Sequence, residues 1–271
     1  MGSTSFRRPA GTSPPAQPGR PALPPGQRRV EGFPRFGTHL HRPPPAVAAD
    51  PVIEVRGAAV EPSDVPIADL AGLPRLELTA DFHCVAGWSS TRLRWEGVAF
   101  EAFYRKIIEP SLQPETSVTH VVFRGLDGYR SIVEIEDALA RDVLICDRLD
   151  GRPLDADHGA PARLVSPSQY GFVSTKHLCR IELHTRRPGG AHPAAIRIGP
   201  CTFRTPLIHP HPRARVWKEE RHRYLPAWSL RRAYQLLAPL IAALSARGSR
   251  RHDTLAPAKT DHVPSATEVE G

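Results

Sequence analysis

The sequence has no run of eighteen apolar residues and no apolar segment behind its N-terminal arginines, so neither a membrane-spanning helix nor a secretory leader is expected. A soluble, cytoplasmic protein is the expectation. Cysteine is scarce and scattered: Cys84, Cys146, Cys179 and Cys201 form no CxxC pair and no Cys/His group at zinc spacing, which argues against a disulfide framework or a zinc finger. GxGxxG, Walker, HExxH and GxSxG patterns are also missing, and with them the common nucleotide, zinc-protease and hydrolase readings. An excess of positive charge is absent from the middle of the chain. Lys and Arg outnumber Asp and Glu by five in residues 1–50 and by eight in 211–252, whereas residues 51–200 carry three more acids than bases. A nucleic-acid reader wears its basic residues on the folded domain, interleaved with aromatics, so nucleic acid is not expected as a partner.

What is present is enough for one sizeable core, with 271 residues and 40% hydrophobic side chains. Residues 1–29 are rich in Pro, Gly, Ser and Arg and read as disordered, as does the tail 250–271. Residues 30–210 read as the folded domain, and 211–249 as a basic, partly helical extension. Val30, Phe33 and Phe36 are apolar anchors in a proline-stiffened arm expected to lie on the domain. Strands are expected at 51–57, 76–79, 120–123, 129–135, 143–147, 162–165 and 177–183, the last with His177, Cys179, Ile181 and Leu183 on one face. Phe100, Phe103, Tyr104, Ile107 and Ile108 follow the spacing of an amphipathic helix ended by Pro110. Many short strands with few helices predict an α+β fold with mixed sheets. Residues 227–244 read as a helix kinked at Pro239 that packs on its own domain, with flanking arginines that also allow peripheral contact with a membrane.

Chemistry concentrates in four stretches: FPRFG (33–37), DFHCVAGWS (81–89) followed by RWEGV (94–98), LDGRPLDADHGAPARLVSP (149–167) and YGFVSTKHLCRIEL (170–183). Taken by itself, Cys84 is open to three readings: a buried core thiol, a nucleophile or a metal ligand. Trp88 and Trp95 either shape a substrate funnel or fill the core, and core filling is the ordinary use of such large rings.

In order and wording, these stretches resemble the sulfite-oxidase-like family of molybdopterin-binding oxidoreductases over residues 30–185. The resemblance implies a sulfite-oxidase-type molybdopterin-binding domain of mixed sheets and short helices, without the family's C-terminal immunoglobulin-like domain. It implies Mo-molybdopterin as cofactor and Cys84 as the thiolate that ligates molybdenum. His158, Arg163, Ser174, Thr175 and Lys176 would hold the pterin and its phosphate, His83 would bind the cofactor where the backbone passes close to the centre, Gly125 would touch the cofactor, and Arg35, Phe36 and Gly37 would close the pocket. Asp127, Tyr129 and Arg130 are candidates for the open face of the metal. After the cysteine this chain reads Val85–Ser90 where sulfite oxidases carry a cationic run, so sulfite is disfavoured, and the block is closer to the branch of bacterial methionine-sulfoxide reductase catalytic subunits. The expected activity is two-electron oxygen-atom transfer on a small-molecule substrate, with electrons passed to a separate partner such as a haem protein, for which Arg213–Arg232 offers a docking surface. A non-catalytic molybdopterin-fold binding or assembly protein is the alternative.

Overall fold

A computed structural model describes residues 22–36, 43–57, 60–189, 195–198, 201–204 and 210–255. The expectations for residues 1–21, Gly37 and 256–271 lie outside these. The elements in order are β1 (Arg28–Arg29), β2 (Val52–Gly57), β3 (Ser63–Pro66), β4 (Arg75–His83), β5 (Trp88–Ala99), α1 (Phe100–Phe103), β6 (His120–Gly125), β7 (Arg130–Glu134), α2 (Ile135–Ala138), β8 (Leu144–Leu149), β9 (Arg152–Pro153), β10 (Arg163–Val165), β11 (Leu178–His184), β12 (Ala195–Ile198), β13 (Cys201–Arg204) and α3 (Ala227–Leu255). Helix α3 runs past the boundary expected at Arg250.

Two mixed sheets carry the fold, as the sequence predicted. The first has the order β1-β5-β8-β10, with β4 also on β5 and β9 on β8, and its β1–β5 pairing is parallel. The second has the order β3-β2-β11-β6-β7, with β2 and β11 parallel. One continuous core takes Val98, Ile145 and Leu164 from the first sheet and Ile53, Phe123 and Ile181 from the second. Between β5 and β6, Phe100 and Phe103 of α1, then Tyr104 and Ile108 of the wider turn that continues it, are buried at the expected helical spacing. The Phe100 ring lies 5.0 Å from that of Phe123, edge to face, so α1 locks onto β6.

The alternation expected along the last core strand is corrected by one residue. A bulge between Leu178 and Arg180 adds a residue to β11, so Leu178 faces inward together with Ile181 and Leu183. His177 precedes the strand, with φ 53° and its Nδ1 on the carbonyl of Ala160 at 2.7 Å.

Two chain reversals build the site. The β4–β5 connection is a tight turn in which Cys84 N donates to Trp88 O (2.8 Å), Gly87 N donates to Cys84 O (3.0 Å) and Gly87 adopts φ 88°. The segment between β10 and β11 folds back against it, with Gly171 N donating to His83 O at 2.7 Å. A Cβ at Gly171 would meet the Phe82 ring at 2.1 Å, so only glycine permits this approach.

Phe100→Ala should destabilise the protein by about 3–5 kcal/mol, because a fully buried ring in contact with both α1 and β6 is removed. Equilibrium urea denaturation measures this, and a loss below about 1 kcal/mol would contradict the packing described.

Candidate active site

Cys84 sits in the β4–β5 turn with almost no exposed surface. Its apolar cluster joins Ala86 and Trp88 of the same turn to Val30, Phe33 and Phe36 from the N-terminal flank and Tyr234 and Ala238 from the C-terminal one. Burial pushes its thiol up to about 12, against a backbone hydrogen bond and the charges of Arg221 and Lys176, which favour the thiolate. The turn is held from three sides. Gln27 Nε2 donates to Cys84 O (3.0 Å), Arg221 Nη1 donates to Val85 O, and His83 Nδ1 lies 2.8 Å from Ser89 Oγ. Burial holds His83 below the usual histidine value.

Arg163 and Lys176 take different positions. The Arg163 guanidinium is fully buried among Phe33, Phe82 and Trp95, at 5.7, 5.5 and 5.3 Å from their ring centres. Its Nε, Nη1 and Nη2 donate to the carbonyls of Leu164 (3.4 Å), His158 (2.9 Å) and Ser174 (3.3 Å). Burial lowers it to about 10. Each nitrogen is therefore engaged by backbone, and Arg163 braces the loop. Lys176 Nζ donates to Asp157 O at 2.6 Å and is held down to about 7, by burial first and then by the charges of Arg163 and Arg35, with Asp157 and Asp127 opposing. Arg35 lies 3.4 Å from Asp157 Oδ1, and burial lowers it too.

His158 has both ring nitrogens on oxygen acceptors, Asp155 Oδ1 and Phe33 O, each at 2.7 Å, and its ring stacks on Phe33. Ser174 Oγ accepts from Ser166 N (3.2 Å) and Thr175 Oγ1 meets Ser131 Oγ (2.8 Å), so both hydroxyls are turned into the protein. A Cβ at Gly125 would meet Lys176 O at 2.3 Å, so glycine is required there for Lys176 to approach β6. Phe36 packs edge-on against Trp88, at 5.5 Å. Asp127 Oδ1 accepts from Tyr129 N (2.9 Å), while Arg130 Nη2 reaches Gly189 O (3.3 Å). Trp95 is fully buried and Trp88 nearly so, as core-filling rings are.

The structure thus brings together Cys84, Lys176, Arg35 and Tyr129, and adds Arg221 and Tyr234, which the sequence did not single out. Tyr129 O–H donates to Phe172 O (2.6 Å), and Tyr234 O–H lies 2.7 Å from His222 Nε2. Burial and the nearby Cys84 raise both phenols, so each stays protonated at neutral pH. Arg221 also reaches Pro25 O and Gly26 O (3.4 Å each) and lies 5.0 Å over the Tyr170 ring. It is 136 residues from Val85, which left no spacing signal to find it by. The arrangement is an interior rich in cations beside one sulfur. Lys176 and Arg35 are both held below their usual values by burial, and an anionic ligand carrying phosphate would oppose that. The residues present fit such a group.

Residues 41–192 match the model of the oxidoreductase molybdopterin binding domain. Similar curated proteins include the uncharacterized oxidoreductase YuiH of Bacillus subtilis, 30% identical over 48% of this chain and 63% of that protein. A putative protein-methionine-sulfoxide reductase subunit, YedZ1 of Azospira oryzae, is 27% identical over 51% of this chain and 50% of that one. The protein-methionine-sulfoxide reductase catalytic subunit MsrP of Xanthomonas campestris is 28% identical over 50% of this chain and 45% of that one. The chain spans about half the length of the curated relatives it matches. Among solved structures, the sulfane dehydrogenase SoxCD of Paracoccus pantotrophus aligns with a TM-score of 0.44 at 21% identity, over 50% of this chain and 38% of that chain.

Two outcomes follow from the geometry. Arg221→Ala should release the Cys84 turn, raising hydrogen exchange at the amides of Cys84 and Gly87 about tenfold or more, as loss of a charged hydrogen-bond hub does; unchanged protection would show that Arg221 is not the clasp. In protein prepared without cofactor, Lys176 is depressed when folded and ordinary when unfolded. Between about pH 7 and 10.5 the unfolded chain therefore binds the extra proton, and stability rises with pH across that window. Lys176→Met should flatten that rise in urea denaturation at pH 7 and pH 9, and equal slopes would contradict it.

Proposed function

The chain belongs to the molybdopterin-binding oxidoreductase family, and from that premise we propose that it removes an oxygen atom from a small sulfoxide as water with two electrons taken from a separate redox partner, or in reverse oxidises the thioether and passes two electrons on. The family's cofactor is Mo-molybdopterin. The observation that carries the reading is the buried sulfur of Cys84, in a turn clasped by Arg221, with the charges of Arg221 and Lys176 favouring its thiolate. The sulfoxide class is supported by the relatives named as methionine-sulfoxide reductase catalytic subunits and by the neutral Val85–Ser90 run, which offers no charge to an oxyanion substrate.

When bound, the molybdenum centre supplies the two-electron exchange of an oxygen atom with substrate. Cys84 would hold the metal through its thiolate, which the charges of Arg221 and Lys176 favour. Lys176 and Arg35 would face the phosphate and pterin end, where Lys176 regains its charge once an anion is present. Arg163 and His158 act one layer further out, fixing the loop and the N-terminal arm. Tyr129 and Tyr234, kept protonated near the sulfur, do not act as bases, and their hydroxyls hold Phe172 O and His222 Nε2 in place. The Phe36–Trp88 contact and Ala238 exclude water from the same place.

Purified from a molybdopterin-producing host, the protein should contain near-stoichiometric molybdenum by mass spectrometry together with the fluorescence of the oxidised pterin. It should reduce a model sulfoxide with a reduced dye as electron donor. Cys84→Ser should lower molybdenum by at least about tenfold relative to pterin. Pterin without molybdenum in the wild type would favour a binding or assembly role, and neither component in well-folded protein would overturn the reading.

A further inference from the structure

We propose that the outer face of α3, with the loop before it, is a docking surface for an anionic lipid membrane on which the helix lies flat. The helix has one face committed to the protein, through Tyr234 and the buried Ala238 in the Cys84 cluster. Another face is left open: Leu236 is 80% exposed, and Leu237 and Leu240 are exposed beside it. The preceding loop is tied to α3 by the Arg231–Glu219 ion pair and the His222–Tyr234 hydrogen bond, and it presents Trp217 and Tyr224, 62% and 63% exposed. Leucines on a helix flanked by Trp and Tyr are the side chains that settle at the boundary between headgroups and acyl chains.

Charge selects the occupant. Residues 211–252 contain ten Lys and Arg against two acids, Glu219 and Glu220. Both acids are already paired, Glu219 with Arg231 and Glu220 with Arg215 and His211. Lys218, Arg223, Arg232 and Arg247 are exposed, so the surface around the leucines is positive. A second copy would set this charge against itself. A transient redox partner makes a small contact that leaves part of this apolar stretch uncovered. An anionic bilayer satisfies the leucines and the arginines together. Among the described residues no helix is long and apolar enough to cross a membrane, which leaves α3 to lie on the surface. The inference rests on surface chemistry and is independent of the reaction proposed above.

The test is flotation of the full-length, cofactor-loaded protein with vesicles of phosphatidylcholine alone or with about a third phosphatidylglycerol. The protein should float with the anionic vesicles only, and high salt should weaken the association about tenfold or more. Leu236→Glu with Leu240→Glu should abolish flotation while leaving circular dichroism and cofactor content unchanged, because both side chains are exposed. Equal binding to neutral vesicles, no binding to either, or an unaffected double variant would overturn the proposal. So would wild type that ignores vesicles while the double variant loses a dimer or an acidic redox partner, since the face would then belong to a protein.

Discussion

A fully buried guanidinium has to find an oxygen for each of its nitrogens, and around Arg163 only backbone is available to supply them. The carbonyls it takes belong to Leu164, to His158 in the preceding loop and to Ser174 on the return segment, while three aromatic rings enclose its plane. Meeting that demand fixes the loop, the return segment and the Phe33 arm relative to one another. His158 extends the same network by bonding Phe33 O and Asp155. Lys176, two residues beyond Ser174, is then carried inward onto Asp157 O, which places its amine where its charge acts on the Cys84 sulfur.

Much of this was readable in the sequence because short-range patterns set it. The alternation in β2, the helical spacing of Phe100, Phe103 and Tyr104, and the Gly-containing turn after Cys84 each state a local geometry. The order of the motifs states which turns meet. What escaped reading depends on contacts distant in sequence. β5 is buried on both faces over much of its length and shows no clean alternation to count. The bulge at Cys179 shifts the phase of β11 by one residue, which no single residue type announces.

The bracing by Arg163 escaped reading for a related reason: a motif identifies a residue but not the direction of its donors. An arginine that grips phosphate and one that braces a loop look alike in sequence, and only the surrounding carbonyls and rings tell them apart. Arg221 and Tyr234 lie outside the matched domain, in a segment whose charge stood out more than its packing. Their proximity to Cys84 shows that the basic extension helps enclose the site as well as facing outward.

The cover over Cys84 comes from residues 22–36 and from the segment containing Arg221, Tyr234 and Ala238, whereas both sheets are complete in sequence by His184. During synthesis the last strand of the second sheet therefore leaves the ribosome before the residues that seal the turn. For a time the nascent protein has its scaffold, its thiol and the N-terminal part of the cover, but not the C-terminal part. The order of the polypeptide thus places the N-terminal part of the cover and both sheets first, and the C-terminal segment with Arg221, Tyr234 and Ala238 last.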